Sequence, residues 1–371
     1  RTIYKREHAS DRTVFCVWKA GRALQLSIVR CDRVQGALRR VSWCVHQLHR
    51  RPATGRGRTM RTTIITHSDA DGICAGAIAL AKFPSAKVYF SKPVSLAREL
   101  DEVKSDRLVI CDIAINKPDA NEIAKKLSQR SEVLYFDHHP QPTGFKPAKN
   151  VKFFHDTKIS ASEIIYRTYA TEMPPERIWI AIYGAIGDYS DDTPFIRKHM
   201  RDWDKRALFF EVSTVVMGIK NEGFSDYGAK RRIVTDLSRG LNPSSVPGLV
   251  ESARQAVEEE FRIYDEVKEK AVGVGNIGYI IKMQHFGFRG PTALFAATAT
   301  EKPIGIAVFE RRNHFDITMR ARIPGVKLNI IAEKAAQAVG GSGGGHPSAA
   351  GARIPMAMLK EFLKKANSLV S

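Results

Sequence analysis

No stretch of this 371-residue sequence stays apolar for the roughly 18 residues that a membrane-crossing helix requires. No membrane role is therefore expected, and the chain reads as soluble and cytoplasmic. Cysteine is scarce: there are five, none in CxxC spacing. That argues against a disulfide scaffold and a cysteine-ligated zinc, and fits a reducing compartment. The glycine-rich run at 340–351 contains no GK[ST], which excludes the P-loop of a nucleotide triphosphatase. Acids are nearly missing from the first 59 residues, which hold three against 14 Lys and Arg. Their net charge of +11 leaves only +8 of the total +19 for the other 312 residues.

Methionine is absent before Met60, and Met60 is followed at once by RTTIITHSDADG, a well-patterned strand and turn. Residues 1–59 show neither a sustained helical period nor strand alternation. Met60 is the expected native start, with residues 1–59 a basic leader outside the native fold. Two functional readings of the leader are an Arg-rich transit peptide and a nucleic-acid-binding arm.

From Met60 onward short apolar runs alternate with helical stretches. TTIIT precedes ICAGAIALAKF, KVYF precedes VSLARELDEV, RLVICDIAI precedes PDANEIAKKLSQR, and EVLYF precedes a proline-rich loop. This βαβα order predicts an α/β fold with a parallel sheet covered by helices on both faces. A helical block follows. GLNPSSVPGLV then breaks the pattern, and ESARQAVEEEFRIYDEVKEKA reads as an amphipathic connector helix. The expected division is a catalytic domain over 60–240, a connector helix over 241–272 and a smaller C-terminal α/β domain over 273–371.

The acids of the first domain follow its strands. Asp69 and Asp71 come after TTIIT, Asp112 after RLVIC, and Asp137, His138 and His139 after EVLYF. In an open parallel sheet the carboxyl ends of the strands share one edge, where ligand sites form. Carboxylates crowded there repel one another unless cations neutralise them. A lone DxD turn would be read as a helix cap, but capping requires neither the imidazoles nor the repeated strand-end position. An Asp and His set without cysteine suits manganese, with magnesium as the alternative. So many ligands suggest two ions about 3.5–4 Å apart, the arrangement that acidifies a bridging water and hydrolyses phosphoesters.

The elements HSDADG, VICD, FDHHP and GAIGD, in that order, resemble motifs one to four of the DHH phosphoesterases. GGGHPSAAG at 343–351 resembles the signature of the DHH-associated domain. The resemblance covers roughly residues 60–371. It implies that Asp69 binds one metal and Asp71 the other, that Asp112 bridges both, and that His138 and Asp188 complete the second ion's shell. It further implies that His139 faces the substrate phosphate and that Asp137 orients the histidines. His67 lies two residues closer to the first Asp than in family branches with HxxxDxD, so it either binds the first ion or lines the pocket. It is kept among the metal candidates. Gly343, Gly344, Gly345 and His346 are the candidate phosphate site, the glycines as an anion nest. Arg320 matches an arginine aimed at substrate phosphate. Phe286 and Phe288 of FGFRG are candidate stacking rings and Arg289 a phosphate contact, with core packing as the alternative for the aromatics.

Within that family the compact two-domain organisation fits exonucleolytic hydrolysis of single-stranded RNA, DNA or short oligonucleotides to nucleoside 5′-monophosphates. The alternatives are a cyclic or linear dinucleotide phosphodiesterase and a replication-associated RecJ-like scaffold with little activity. Homodimerisation and replication or repair proteins are the further partners considered. Basic clusters at 197–206 and 229–232 would steer a polyanion, unless they are solvated helix faces.

Overall fold

A computed structural model describes residues 13–20, 23–30, 60–221, 226–281 and 286–370. The chain divides into two units, Arg1–Arg58 and Thr59–Ser371. In the first, β1 (Thr13–Ala20) and β2 (Ala23–Arg30) pair antiparallel from Thr13↔Arg30 to Ala20↔Ala23. The leader thus contains strands where the sequence pattern suggested none. The rest of it lies outside the described residues.

The second unit opens with β3 (Thr62–Thr66), α1 (Ala70–Lys82), β4 (Lys87–Phe90), α2 (Leu96–Glu102), β5 (Arg107–Cys111), α3 (Ala120–Ser128), β6 (Glu132–Asp137) and β7 (Val151–His155). These strands form one parallel sheet in the order β4-β3-β5-β6-β7. β3 is buried at every position because both faces are covered: Ile64 enters the core under α1, and Ile65 the core under α2 and α3. Helices α4 (Ala161–Tyr169), α5 (Ile178–Gly187), α6 (Pro194–Met200), α7 (Lys205–Asn221) and α8 (Tyr227–Ser238) follow. The first eleven residues of α1 are buried, and their small side chains let α4, α5 and α8 pack closely around it.

α9 (Leu249–Lys270) is a 22-residue helix that packs on α7. Beyond it come β8 (Val272–Val274), β9 (Ile277–Ile281), α10 (Arg289–Ala299), β10 (Ile304–Glu310), β11 (His314–Ala321), α11 (Leu328–Gln337), β12 (Ser342–Gly345), β13 (Ala349–Pro355) and α12 (Leu359–Ser368). Their strands form a mixed sheet in the order β12-β13-β11-β10-β9-β8. FGFRG is a single 3₁₀ turn running into α10 and not a strand. Phe288 is buried in a core with Ala293 and Phe309, with the Lys220 ammonium 5.2 Å from its ring centre. It packs, and is not a stacking ring. The side chain of Phe286 lies outside the described residues.

The strand order fixes where a site can form. β3 continues to β4 on one side of itself, while β5 lies on its other side, so the crossovers diverge and leave a crevice at the carboxyl ends of β3 and β5.

Candidate metal centre

Asp69 opens α1 from the end of β3, its Oδ1 accepting the Gly72 N–H at 2.9 Å as a helix cap. His67 Nδ1 lies 2.8 Å from Asp69 Oδ2 and 3.8 Å from Asp112 Oδ2. In the first turn of α1, Asp71 is 1% exposed and faces the N-terminus of α4, accepting N–H bonds from Ala161 at 2.7 Å and Ser162 at 3.0 Å. Those donors carry the positive end of the helix dipole. Asp112 follows β5 with a left-handed backbone, φ 57°, its N–H bonded to the Phe136 carbonyl at 2.8 Å. That conformation costs Asp less than most residues, and it aims the carboxylate back over the sheet edge.

The end of β6 brings the imidazoles. His138 Nε2 lies 3.3 Å from Asp112 Oδ1, and its Nδ1 3.6 Å from Asp188 Oδ2. His139 Nδ1 donates to Asp137 Oδ1 at 2.8 Å, leaving Nε2 for an external partner. The His139 carbonyl accepts from His155 Nε2 at 2.7 Å, which holds the loop against β7. Asp188 caps the end of α5, and Ser190 Oγ donates to its Oδ2 at 3.0 Å.

Three overlapping groups each keep their ligand atoms within 4.8 Å of one another: His67 with Asp69 and Asp112, Asp112 with His138 and His139, and Asp71 with His138 and Asp188. Asp112 belongs to two of them. His67 Nδ1 and Asp112 Oδ2 are buried with no hydrogen-bond partner despite their close neighbours, so polar atoms converge there without well-aligned hydrogen bonds. An oxygen-rich donor set with imidazoles and buried, unsatisfied atoms fits a divalent cation.

The electrostatics show what the fold strains against. Burial, then the neighbouring Asp112 charge, pushes Asp71 up to about 8. Burial and Asp69 push Asp112 up as well. Burial pulls the imidazoles down, but carboxylates outweigh it: Asp69 and Asp112 push His67 up to about 11, and Asp112 pushes His138 up to about 10. In the absence of cations, protons take their place in the cluster.

The second domain reaches this centre at His346, whose ring centre lies 6.2 Å from that of His139. Burial and the facing histidines push the His346 pKa down. The glycines before it form the edge strand β12, not a loop. A Cβ on Gly343 would stand 2.5 Å from the Ala332 carbonyl oxygen and one on Gly345 2.6 Å from that of Ala349, whereas Gly344 faces open space. Arg320, on β11, bonds the Met319 carbonyl at 3.0 Å and lies over Gly290, where a Cβ would stand 2.7 Å from the guanidinium. Arg289 is 3.7 Å from Asp316.

Two contributors, Lys230 and Gly184, escape the sequence reading. Lys230 lies within the basic AKRR run yet is 3% exposed, its ammonium bonded to the Ser68 carbonyl at 3.1 Å. Its spacing to Ile233, Val234 and Leu237 puts it on the buried stripe of α8, and that was the available signal. Gly184, the first glycine of GAIGD, passes so close to Asp71 that a Cβ would stand 2.7 Å from its Oδ1 and 2.2 Å from Ser162 Oγ. Tyr189, next to Asp188, is 94% exposed.

The model of the DHH family, N-terminal domain, matches residues 61–186, and that of the DHHA1 domain matches residues 290–371. No curated protein matches the chain. Among solved structures it resembles RecJ from Thermus thermophilus in complex with Mn2+, with TM-score 0.62 and 17% identity over 83% of this chain and 52% of that one. The chain therefore spans about half the length of that relative. It also resembles the pGpG-specific phosphodiesterase PggH from Vibrio cholerae, with TM-score 0.55 and 14% identity over 83% of this chain and 98% of the other. CDC45 from Entamoeba histolytica aligns with TM-score 0.55 and 10% identity over 83% and 95% of the two chains. The first model covers the crowded strand ends and the second covers the glycine strand facing them, so the chain belongs to the DHH family of phosphoesterases, hydrolases that act on phosphoester bonds.

Proposed function

We propose that this enzyme degrades single-stranded RNA, DNA or short oligonucleotides from one end to nucleoside 5′-monophosphates, using two divalent cations, manganese foremost and magnesium as the alternative. The observation that carries the reading is the sharing of Asp112 between two ligand groups on one edge of the sheet. In this reading His67, Asp69 and Asp112 hold one ion, and Asp71, Asp112, His138 and Asp188 the other. Cations held there supply Lewis acidity toward a phosphoryl oxygen and acidify a water into a nucleophile at neutral pH.

The chain's own groups do the rest. Asp137 fixes the His139 ring through Nδ1, so that Nε2 can hold a proton toward a phosphate oxygen. Arg320 and His346, with the edge strand at Gly344, present donors to the phosphate from the second domain, opposite the metal ligands. Arg231 and Arg232 add positive charge on the outer side of α8, which steers a polyanion toward the crevice.

A second reading has specific support: the chain matches 98% of the length of a phosphodiesterase described as pGpG-specific, so a dinucleotide is the alternative substrate. The likeness to CDC45 supports a third, an association with replication or repair proteins with little activity of its own. Homodimerisation is compatible with each. No described helix is long and apolar enough to cross a membrane.

Hydrolysis of end-labelled RNA and DNA from two to about twenty nucleotides, with manganese and with an Asp112→Asn control, separates these readings. Stepwise mononucleotide release from all lengths, lost in the control, supports the exonuclease. Cleavage confined to dinucleotides selects the second reading, and no cleavage at any length selects the third.

A further inference from the structure

Helix α5 ends in a hydrogen-bonded motif whose residue types are unusual. Its last residue is Gly187, Asp188 caps it, and Tyr189 follows with φ 57°. The Tyr189 N–H bonds the Ile186 carbonyl at 3.2 Å and the Ser190 N–H bonds the Ala185 carbonyl at 2.8 Å. This is the Schellman arrangement, and the residue in the left-handed conformation is ordinarily glycine, for which that conformation is free of strain. A bulky aromatic adopts it at a cost. Glycine would close the same helix end, so the tyrosine contributes nothing to the turn that a smaller residue could not.

The ring is not spent on packing either. At 94% exposed, Tyr189 is the most exposed of the large hydrophobic side chains described. It stands one residue beyond Asp188 at the metal centre. A flat apolar surface thus follows directly on a cluster suited to the metal ions that act on phosphoesters. The two halves of a nucleotide, a flat base and an anionic phosphate, match that pairing.

We infer that Tyr189 is the platform on which a substrate nucleobase stacks while the attached phosphate occupies the metal centre. The inference rests on the nucleotide reading of the site given above. Stacking on one ring is tolerant of base identity because every base has a π-face, so the platform grips nucleotides without sequence preference. The Schellman bonds hold the backbone that carries the ring.

The test is equilibrium binding of adenosine 5′-monophosphate and of ribose 5-phosphate, by calorimetry with manganese present, to the parent, Tyr189→Phe, Tyr189→Ala and Tyr189→Gly. The parent and Tyr189→Phe are expected to prefer the nucleotide by about 5- to 150-fold, the range of a single base–aromatic stack. Tyr189→Ala and Tyr189→Gly are expected to lose that preference while binding ribose 5-phosphate as the parent does. Tyr189→Gly should also melt at or above the parent temperature, because it relieves the backbone; a merely structural tyrosine would give the reverse. Equal affinity of the parent for both ligands, or a preference undiminished in Tyr189→Ala and Tyr189→Gly, overturns the inference. If the preference depends on Tyr189 but no oligonucleotide is cleaved, the stacking role stands and the exonuclease reading falls.

Discussion

The ammonium of Lys230 donates to the carbonyl oxygen of Ser68 at 3.1 Å, joining α8 to the turn that carries His67 and Asp69 across 162 residues of sequence. Burial pushes the lysine pKa down, and Asp69 draws it back up. Replacing it with an isosteric apolar residue, Lys230→Met, leaves a buried carbonyl without this donor, at a cost of about 1–3 kcal/mol. A melting temperature lower by several degrees and weaker manganese binding are expected, read by calorimetry and metal titration. An unchanged melting temperature would make the contact incidental.

Asp112→Asn should move function and stability in opposite directions. The amide keeps the shape and tolerates the left-handed backbone, but it removes the charge shared by two ligand groups. Hydrolysis is expected to disappear. In chelator, at pH 8, the variant should melt above the parent, because the buried Asp112 charge is disfavoured by burial and by Asp69. With manganese the order should reverse. A chelated variant less stable than the parent contradicts this account of the cluster.

The pH dependence of the metal-free protein follows from the same groups. His67 and His138 are raised to about 11 and about 10, so the stability they contribute is fully present below the unfolded histidine value and lost as pH rises through those values. Asp71, raised to about 8, acts with the same sign, its contribution present below the unfolded carboxylate value and lost as pH rises through 8. Chelated protein is therefore expected to melt at progressively lower temperature from about pH 6 to pH 9. Saturating manganese should flatten that slope, because cations replace the protons. Melting curves over this range, with and without chelator, decide the matter; parallel slopes would refute it.

Gly184→Ala tests the close approach beside Asp71. The added methyl would meet Ser162 Oγ at 2.2 Å and Asp71 Oδ1 at 2.7 Å, and a crowded core change of this kind costs about 1–3 kcal/mol. The expected signature is lowered manganese affinity together with lowered stability. Gly144→Ala is a contrasting control of the folded state: nothing lies within 4 Å of its added Cβ, although its φ of 83° strains the backbone locally. It should leave metal affinity unchanged.

The catalytic sheet was legible because its strands are short, apolar and separated by helices, and because acids at strand ends of a parallel sheet must converge. Residues 69, 71, 112 and 137–139 lie together for that reason alone. Other contributors were not legible, since no local pattern reports a contact across 162 residues, as with Lys230 and Ser68. Gly184 stands in a recognisable motif, yet its reason for being glycine is the packing of α5 against Asp71 and α4, which exists only in three dimensions. FGFRG misled in the other direction: its aromatics read as candidate stacking rings, but the segment turns into α10 and buries Phe288, the alternative of core packing.

Asp112 answers to two independent filters at once. Its backbone at φ 57° favours glycine, asparagine and aspartate, while its place between ligand groups calls for a negatively charged oxygen donor. Glutamate passes only the second filter; asparagine and glycine pass only the first. In a saturation library at this codon, functional survivors should therefore collapse onto a single amino acid even when the surrounding loop tolerates variety. A chain that drifts away from hydrolysis would be expected to show it here first, through asparagine, with its fold intact.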